Sequence, residues 1–136
     1  MRAQNLVLLV ESDASLRRSL EKFLDQAGYA FQSSSTAAQA LALAQNIAPD
    51  VVIAEYHLPD ANACAFISRL NLIVPEVEVI LLSEYDFQVI AKDLRRVEIG
   101  AFLKKPFDLV DIENSLCSAC SKTMKKRSEG ENGRRK

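Results

Sequence analysis

Short, continuously apolar runs alternate along the chain with longer stretches in which apolar residues recur every three or four positions. Runs of four to six aliphatic and β-branched residues are typical of strands that are buried on both faces of a parallel sheet. The longer stretches have the spacing of helices that bury one face. The pattern predicts five strands, near residues 6–10, 29–33, 51–54, 77–82 and 101–105.

A helix is expected after each of these strands, and several helix ends carry capping residues. Ser12 or Asp13 can cap the first helix and Gly28 can end it, because these residue types satisfy free backbone groups at helix termini. The remaining helices are expected over 36–46, around 66–70, over 86–97 and from residue 108. Five alternations of strand and helix predict an α/β fold, a doubly wound parallel sheet with right-handed crossovers.

Charge is distributed unevenly along the 136 residues, whose net charge is −1. Residues 122–136 hold seven basic and two acidic residues, so this stretch carries +5 and residues 1–121 carry −6. We therefore predict one domain over 1–121 and a basic, disordered tail or linker over 122–136. Nucleic-acid binding is not expected of an acidic domain, and specific binding by the tail is not favoured.

The sequence contains neither a membrane segment nor a disulfide framework. The apolar run 6–10 is far too short for a signal sequence or a membrane span, and acids follow it at once. The three cysteines are an odd number and are expected to be reduced thiols. Cys117 and Cys120 form a C-x-x-C pair without a second ligand pair, so a zinc site is not favoured. A cytosolic protein that does not contact the membrane is predicted.

Charged and hydroxyl side chains follow the predicted strands where each one ends. The carboxyl ends of the strands of an open parallel sheet are where ligands bind, so these side chains are the candidate site. They are Glu11, Ser12 and Asp13 after the first strand, Glu55 after the third, Ser83 and Glu84 after the fourth, and Lys105 after the fifth.

In this order the residues resemble the receiver domains of two-component response regulators, over about residues 5–121. The resemblance implies a flavodoxin-like sheet of order 2-1-3-4-5 with five helices. Glu55 in Glu-Tyr-His-Leu-Pro stands where the family has its phosphoacceptor aspartate, and Ser83 where it has Ser or Thr. Lys105 and Pro106 match its Lys-Pro-Phe motif, and Phe102 its aromatic switch position.

The departures from the family pattern indicate a degenerate receiver. Glu55 replaces the acceptor aspartate, Ser12 the second acid of the pair, Glu84 a small residue and Ala63 a glycine. The extra methylene of Glu55 moves its carboxylate about 1.5 Å, a misplacement that slows group transfer. No catalytic residue and no cofactor are expected. Mg²⁺ would bind only weakly, at Glu11, Glu55 and the His57 carbonyl, if the site is residually active.

Three interpretations of Glu55 remain open. Lys105 pairs with it and locks the edge of the sheet, or Glu55 stands in for a phosphorylated aspartate and holds Ser83 and Phe102 in the signalling arrangement. The third is residual phosphorylation, for instance at Asp13. Phe102 is as readily a core residue as a switch. The side chain of His57, the single histidine, is expected to point to solvent.

The function predicted from these residues is that of a regulatory binding module and not of an enzyme. It would act independently of phosphorylation through a protein partner such as a histidine kinase or an output domain, or as a homodimer through its fourth helix, fifth strand and fifth helix. The alternative is a working phosphoacceptor that takes its phosphoryl group from a histidine kinase. A nucleotide- or flavin-binding domain is disfavoured, because no glycine-rich loop follows Val10.

Overall fold

The computed structural model of the chain describes residues 5–134, with side chains through Thr123. Five strands form one parallel sheet in the order β2-β1-β3-β4-β5, which confirms the predicted fold class and strand order. The strands are β1 Leu6–Val10, β2 Ala30–Ser34, β3 Val51–Glu55, β4 Glu78–Ser83 and β5 Ala101–Lys104.

Helices cover both faces of the sheet and divide the core into two apolar clusters. They are α1 Ala14–Gln26, α2 Ala37–Ile47, α3 Ala63–Ile73, α4 Phe87–Ile90 and α5 Leu109–Arg134. Phe66 and Leu70 of α3 belong to one cluster, and Leu20 of α1 and Ile112 of α5 to the other. Every residue of β3 is buried, as its unbroken apolar run predicts.

The register of the strands brings the candidate site together. Val10 is aligned with Ala54, so the two glutamates that follow them leave the sheet side by side. Ser83 is aligned with Lys104, and the Lys105 amide donates to the Ser83 carbonyl at 2.7 Å. The side chains after β1, β3, β4 and β5 therefore meet at one edge of the sheet.

Asp50 ties three strands together at the opposite edge. Its amide donates to the Leu6 carbonyl at 2.9 Å, and its Oδ2 accepts the Leu6 amide at 2.8 Å. Its carbonyl accepts the Glu78 amide at 3.1 Å. This one residue, 8% exposed, fixes where β1, β3 and β4 begin.

The predicted fourth helix is wrong in length. A helix was expected over 86–97, whereas α4 ends at Ile90 and residues 91–96 form turns. The hydrogen bonds there span three residues, from Asp93 to Ile90 and from Leu94 to Ala91. The buried Ile90 and Leu94 and the half-buried Val97 anchor this segment to the core, and we call residues 87–97 the α4 segment.

The last helix also differs from the expectation. Residues 122–136 were predicted to form a disordered tail or a linker, whereas α5 continues to Arg134; residues 135 and 136 lie outside the described part of the chain. Lys, Arg and Glu are good helix formers and no proline interrupts them, so the backbone can extend the helix without an apolar stripe. Within residues 5–134, no helix is both long and apolar enough to cross a membrane.

Candidate functional site

Two buried glutamates and one lysine form the centre of the site. Lys105 Nζ lies 2.8 Å from Glu11 Oε1 and 3.6 Å from Glu55 Oε1. Glu11 is fully buried and Glu55 is 8% exposed. Lys105 thus pairs first with Glu11 and only secondarily with Glu55, the partner that the sequence suggested. Its ammonium compensates the charge of two acids that the strand ends force together.

Ser12 completes this network from the loop after β1. Its amide donates to Glu55 Oε2 at 2.7 Å, and its hydroxyl donates to the same oxygen. Glu11 Oε2 accepts the Asp13 amide at 3.1 Å. We call these four side chains, Glu11, Ser12, Glu55 and Lys105, the acidic network.

The two glutamates differ in their hold on a proton. Burial raises the pKa of Glu11, and the neighbouring Glu55 raises it further, against the lowering by Lys105. Burial also acts to raise the pKa of Glu55, but the hydrogen bonds with Glu11 and Ser12 outweigh it and lower that pKa below its ordinary value. The two pKa values are thus shifted in opposite directions, and the charged form is favoured more at Glu55 than at Glu11.

The residues present do not fit the magnesium ion that the resemblance implies. Each of the four carboxylate oxygens of Glu11 and Glu55 already faces an N–H, an O–H or the Lys105 ammonium. A divalent ion there would have to displace a cation 2.8 Å from Glu11. Ser12 supplies a hydroxyl that is committed to Glu55, where Mg²⁺ prefers charged oxygen ligands. Among the described residues, no three Asp, Glu, His or Cys side chains are grouped as a metal site.

Asp13 and His57 lie outside the acidic network. Asp13 is exposed and caps α1, with its Oδ1 accepting the Leu16 amide at 3.0 Å. That hydrogen bond is the main cause that lowers the pKa of Asp13. His57 is exposed, as predicted, and its backbone forms an isolated bridge with Asn62.

A pocket of about 140 Å³ opens beside Glu55, on the β4 side of the site. Its lining includes Ser83, Glu84, Tyr85 and Lys105. The Ser83 hydroxyl is buried and accepts the Tyr85 amide at 2.9 Å, which fixes the start of the loop after β4. Glu84 is exposed and adds negative charge at the pocket.

Phe102 and Pro106 flank the site on β5 and after it. The Phe102 ring is half-buried against the α2–α3 side of the core and meets the Phe87 ring edge to face, with centroids 5.4 Å apart. This places Phe102 between core and surface, and the choice between a core residue and a switch stays a prediction. Pro106 follows Lys105 through a cis peptide bond.

Two contacts beside the site were not predicted. The Tyr56 hydroxyl donates to Asp93 Oδ2 at 2.6 Å. Asp60 accepts the amides of Ala37 and Ala38 at 2.8 and 2.9 Å, and so caps α2 from another loop. Long-range pairs such as these leave no periodic signal in a sequence. Tyr56, next to Glu55 and at the end of a buried strand, was the one residue whose position could have drawn attention.

This arrangement defines a class of protein, an α/β domain whose acids and lysine converge at the carboxyl ends of β1, β3 and β5. The sequence profile of the response regulator receiver domain matches residues 7–116, and the chain belongs to this family.

Relatives and solved structures agree with that membership. The photosynthetic apparatus regulatory protein RegA of Rhodobacter capsulatus is 30% identical over 112 residues, which are 81% of this chain and 60% of RegA. The chain thus spans about 60% of the length of this curated relative. The signal receiver domain of an HD domain-containing protein from Pseudomonas fluorescens Pf-5 superimposes with a TM-score of 0.85 at 28% identity, covering 94% of this chain and 95% of that one.

A CheY-like receiver domain protein from Methanospirillum hungatei JF-1 has a TM-score of 0.85 at 18% identity and covers 91% of this chain and 99% of its own. At this identity the likeness supports the fold alone.

Proposed function

We propose that this receiver domain works in two-component signalling without taking up a phosphoryl group. The observation that carries the proposal is the closed acidic network, in which Glu55 Oε2 accepts both the amide and the hydroxyl of Ser12. One of the two Glu55 oxygens that could attack phosphorus is thus engaged with the loop after β1, and the other faces Lys105 at 3.6 Å. No catalytic residue, no resident Mg²⁺ and no other cofactor are part of this proposal.

The chemistry of phosphoryl transfer supports this interpretation. Transfer to a carboxylate needs an in-line approach and a cation that neutralises the phosphoryl oxygens. Here Lys105 is held by Glu11 at 2.8 Å, so the cation is already neutralised by an acid. Glu84 lines the pocket beside Glu55 and would repel an anionic phosphodonor.

The acidic network favours a structural role for Glu55 over imitation of a phosphorylated aspartate. A stand-in for phosphate would accept a hydrogen bond from the Ser83 hydroxyl, whereas Glu55 Oε2 accepts from Ser12 and Glu55 Oε1 faces Lys105. Instead, the Glu55 carboxylate, which is one methylene longer than that of aspartate, accepts a hydrogen bond from the hydroxyl of Ser12. The conformation of the domain would then be set by its sequence and by a bound partner, which shifts populations through its differential affinity.

Protein partners would bind an exposed apolar surface on the side of α4 and α5. Large apolar side chains on this side are 45–67% exposed, which is typical of interaction surfaces. We propose a histidine kinase, an output or effector domain, or a second copy of the chain as partner. The exposed residues are Tyr85, Phe87, Val89, Leu109 and Val110.

Incubation with acetyl phosphate and Mg²⁺, followed by intact-mass spectrometry, tests the proposal. We expect the mass of the wild-type chain to stay unchanged. The matched control is the double variant Glu55→Asp with Ser12→Asp, which restores the acids of the family pattern and should gain one phosphoryl group. A stable gain by the wild-type chain would overturn the proposal and favour the working phosphoacceptor.

Asp13→Asn identifies the acceptor if the wild-type chain does gain mass. Loss of the gain in this variant would assign residual phosphorylation to Asp13. Loss in Glu55→Gln would assign it to Glu55 itself.

A further inference from the structure

Tyr56 connects the strand end that carries Glu55 to the α4 segment. Its hydroxyl donates to Asp93 Oδ2 at 2.6 Å, the short distance of a charge-assisted hydrogen bond. Its ring meets the ring of Tyr85 edge to face, with centroids 6.3 Å apart and planes at 82°. Edge-to-face geometry is favourable for two aromatic rings. One side chain thus touches both the loop after β4 and the α4 segment.

The other end of Tyr56 is fixed to the sheet. Its amide donates to the Leu82 carbonyl at 2.7 Å, which extends the β3–β4 pairing by one residue. Glu55, the preceding residue, belongs to the acidic network through Ser12. A change in the position of Glu55 therefore reaches the Tyr56 ring through a single peptide unit.

Apart from this contact, the α4 segment is held by the buried Ile90 and Leu94, the half-buried Val97 and the ring contact between Phe87 and Phe102. Asp86 precedes it and makes no side-chain capping bond; its Oδ1 pairs instead with Lys104 Nζ at 2.7 Å. The turns at 91–96 rest on three-residue hydrogen bonds of 3.0 to 3.5 Å. Segments with few buried contacts and exposed backbone bonds open locally at low free-energy cost.

We propose that the Tyr56–Asp93 hydrogen bond is a clamp that transmits the state of the acidic network to the α4 segment. While Glu55 is held by Ser12, the clamp keeps the α4 segment closed over the end of β3. A partner that displaces Glu55 would move Tyr56, release Asp93 and free Phe87 and Val89 to rearrange. The clamp is independent of whether Glu55 accepts phosphate, because it needs only a change in the position of this side chain.

Hydrogen–deuterium exchange on the full chain tests the clamp. Tyr56→Phe keeps the ring and removes the hydroxyl, so we expect the amides of residues 87–97 to exchange roughly threefold to tenfold faster. Asp93→Asn should have the same effect. Tyr29→Phe, which removes a hydroxyl on the other face of the sheet, is the matched control and should leave 87–97 unchanged. Unchanged exchange at 87–97 in Tyr56→Phe, with β1 and β3 still protected, would overturn the clamp.

A double-mutant cycle tests transmission, which a merely structural hydrogen bond would not show. Glu55→Gln weakens the acidic network and should speed exchange at 87–97 in the wild-type background. In the Tyr56→Phe background the same substitution should add less than twofold, because the link is already cut. Equal effects in the two backgrounds, or no effect of Glu55→Gln in either, would overturn transmission.

Tyrosine ionisation gives an independent measure of the same contact. The hydrogen bond to Asp93, with burial and the charge of Asp93, raises the pKa of Tyr56 to about 12. Burial also raises the pKa of Tyr29, so the titration is followed by absorbance at 295 nm in the Tyr29→Phe background. There Asp93→Asn should bring the late-titrating Tyr56 back towards the ordinary value of about 10. A Tyr56 that titrates identically in both proteins would show that the hydrogen bond does not form.

Discussion

The helices on the two sides of the site are held in different ways. Side chains cap α1, α2 and α3, through Asp13, Thr36 and Asn62 respectively, and these helices run for 13, 11 and 11 residues. α4 has four residues, and Asp86 before it makes no capping bond. The first three helices are thus fixed at their starts by side-chain caps. The α4 segment is held by apolar packing, by the ring contact of Phe87 with Phe102 and by the contact of Tyr56.

Competition for a carboxylate explains part of this difference. Asp86 has the residue type and the extended backbone of an N-cap, but its Oδ1 pairs with Lys104. At the start of α2, by contrast, three amides are satisfied by side chains. Thr36 accepts one of these hydrogen bonds, and Asp60, from another loop, accepts the other two. A stable body and a loosely held α4 segment follow from which groups reach the free amides.

The largest effect is expected from the core under α3. Phe66→Ala leaves a cavity in the buried cluster of the capped helices and should lower the free energy of unfolding by about 3–5 kcal/mol. Urea denaturation followed by circular dichroism measures it. Leu72→Ala, on the same helix but 85% exposed, is the control and should change stability by about 0.5 kcal/mol or less. Equal losses would contradict the assignment of Phe66 to the core.

A smaller effect is expected at the helix starts, where the difference between the capped α3 and the uncapped α4 can be tested directly. Asn62→Ala removes the bond from the Ala65 amide at 2.9 Å and should cost about 1 kcal/mol. Asp86→Ala removes no cap and only an exposed ion pair, so its cost should stay below about 0.5 kcal/mol. Both are measured by urea denaturation. Similar costs for the two variants would mean that Asp86 does cap α4.

The smallest effect is expected in the pH dependence that Asp60 gives to α2. Hydrogen bonds from the Ala38 and Ala37 amides lower its pKa, so the native state favours the charged form. Its contribution is complete above the unfolded-state pKa of about 4 and is lost as the pH falls through the lower native value. Asp60→Asn should therefore be less stable than wild type at pH 7, and the two denaturation curves should converge at low pH. A difference in the free energy of unfolding that stays constant from pH 7 to about pH 2.5 would contradict this prediction.

The sheet was predictable because most strands are short apolar runs that end at polar, charged, glycine or proline residues. β3 is the clearest case, an apolar run that is buried at every position and ends in a single acid. The length of α4 was not predictable from periodicity. Phe87 and Ala91 have the spacing of an apolar face, but Phe87 is 45% exposed, and the pattern does not reveal that Asp86 pairs elsewhere.

The sequence predicted which residues form the site but not which of them contact one another. Strand ends of a parallel sheet meet, so the convergence of Glu11, Glu55 and Lys105 followed from the order of the elements. That Lys105 prefers Glu11, and that Glu55 turns to Ser12, depends on differences of one methylene group and on the register of β1 with β3. A sequence does not specify distances on this scale.

The hydrogen bonds of Asp50 with Leu6 and Glu78 lie at the opposite end of the strands from the acidic network. Anchorage and signalling are therefore physically separate tasks in this molecule. Side chains at one end of the strands can thus change while the other end continues to align the strands. Substitutions at residues 12 and 55 are therefore expected to alter the acidic network while the strands stay aligned.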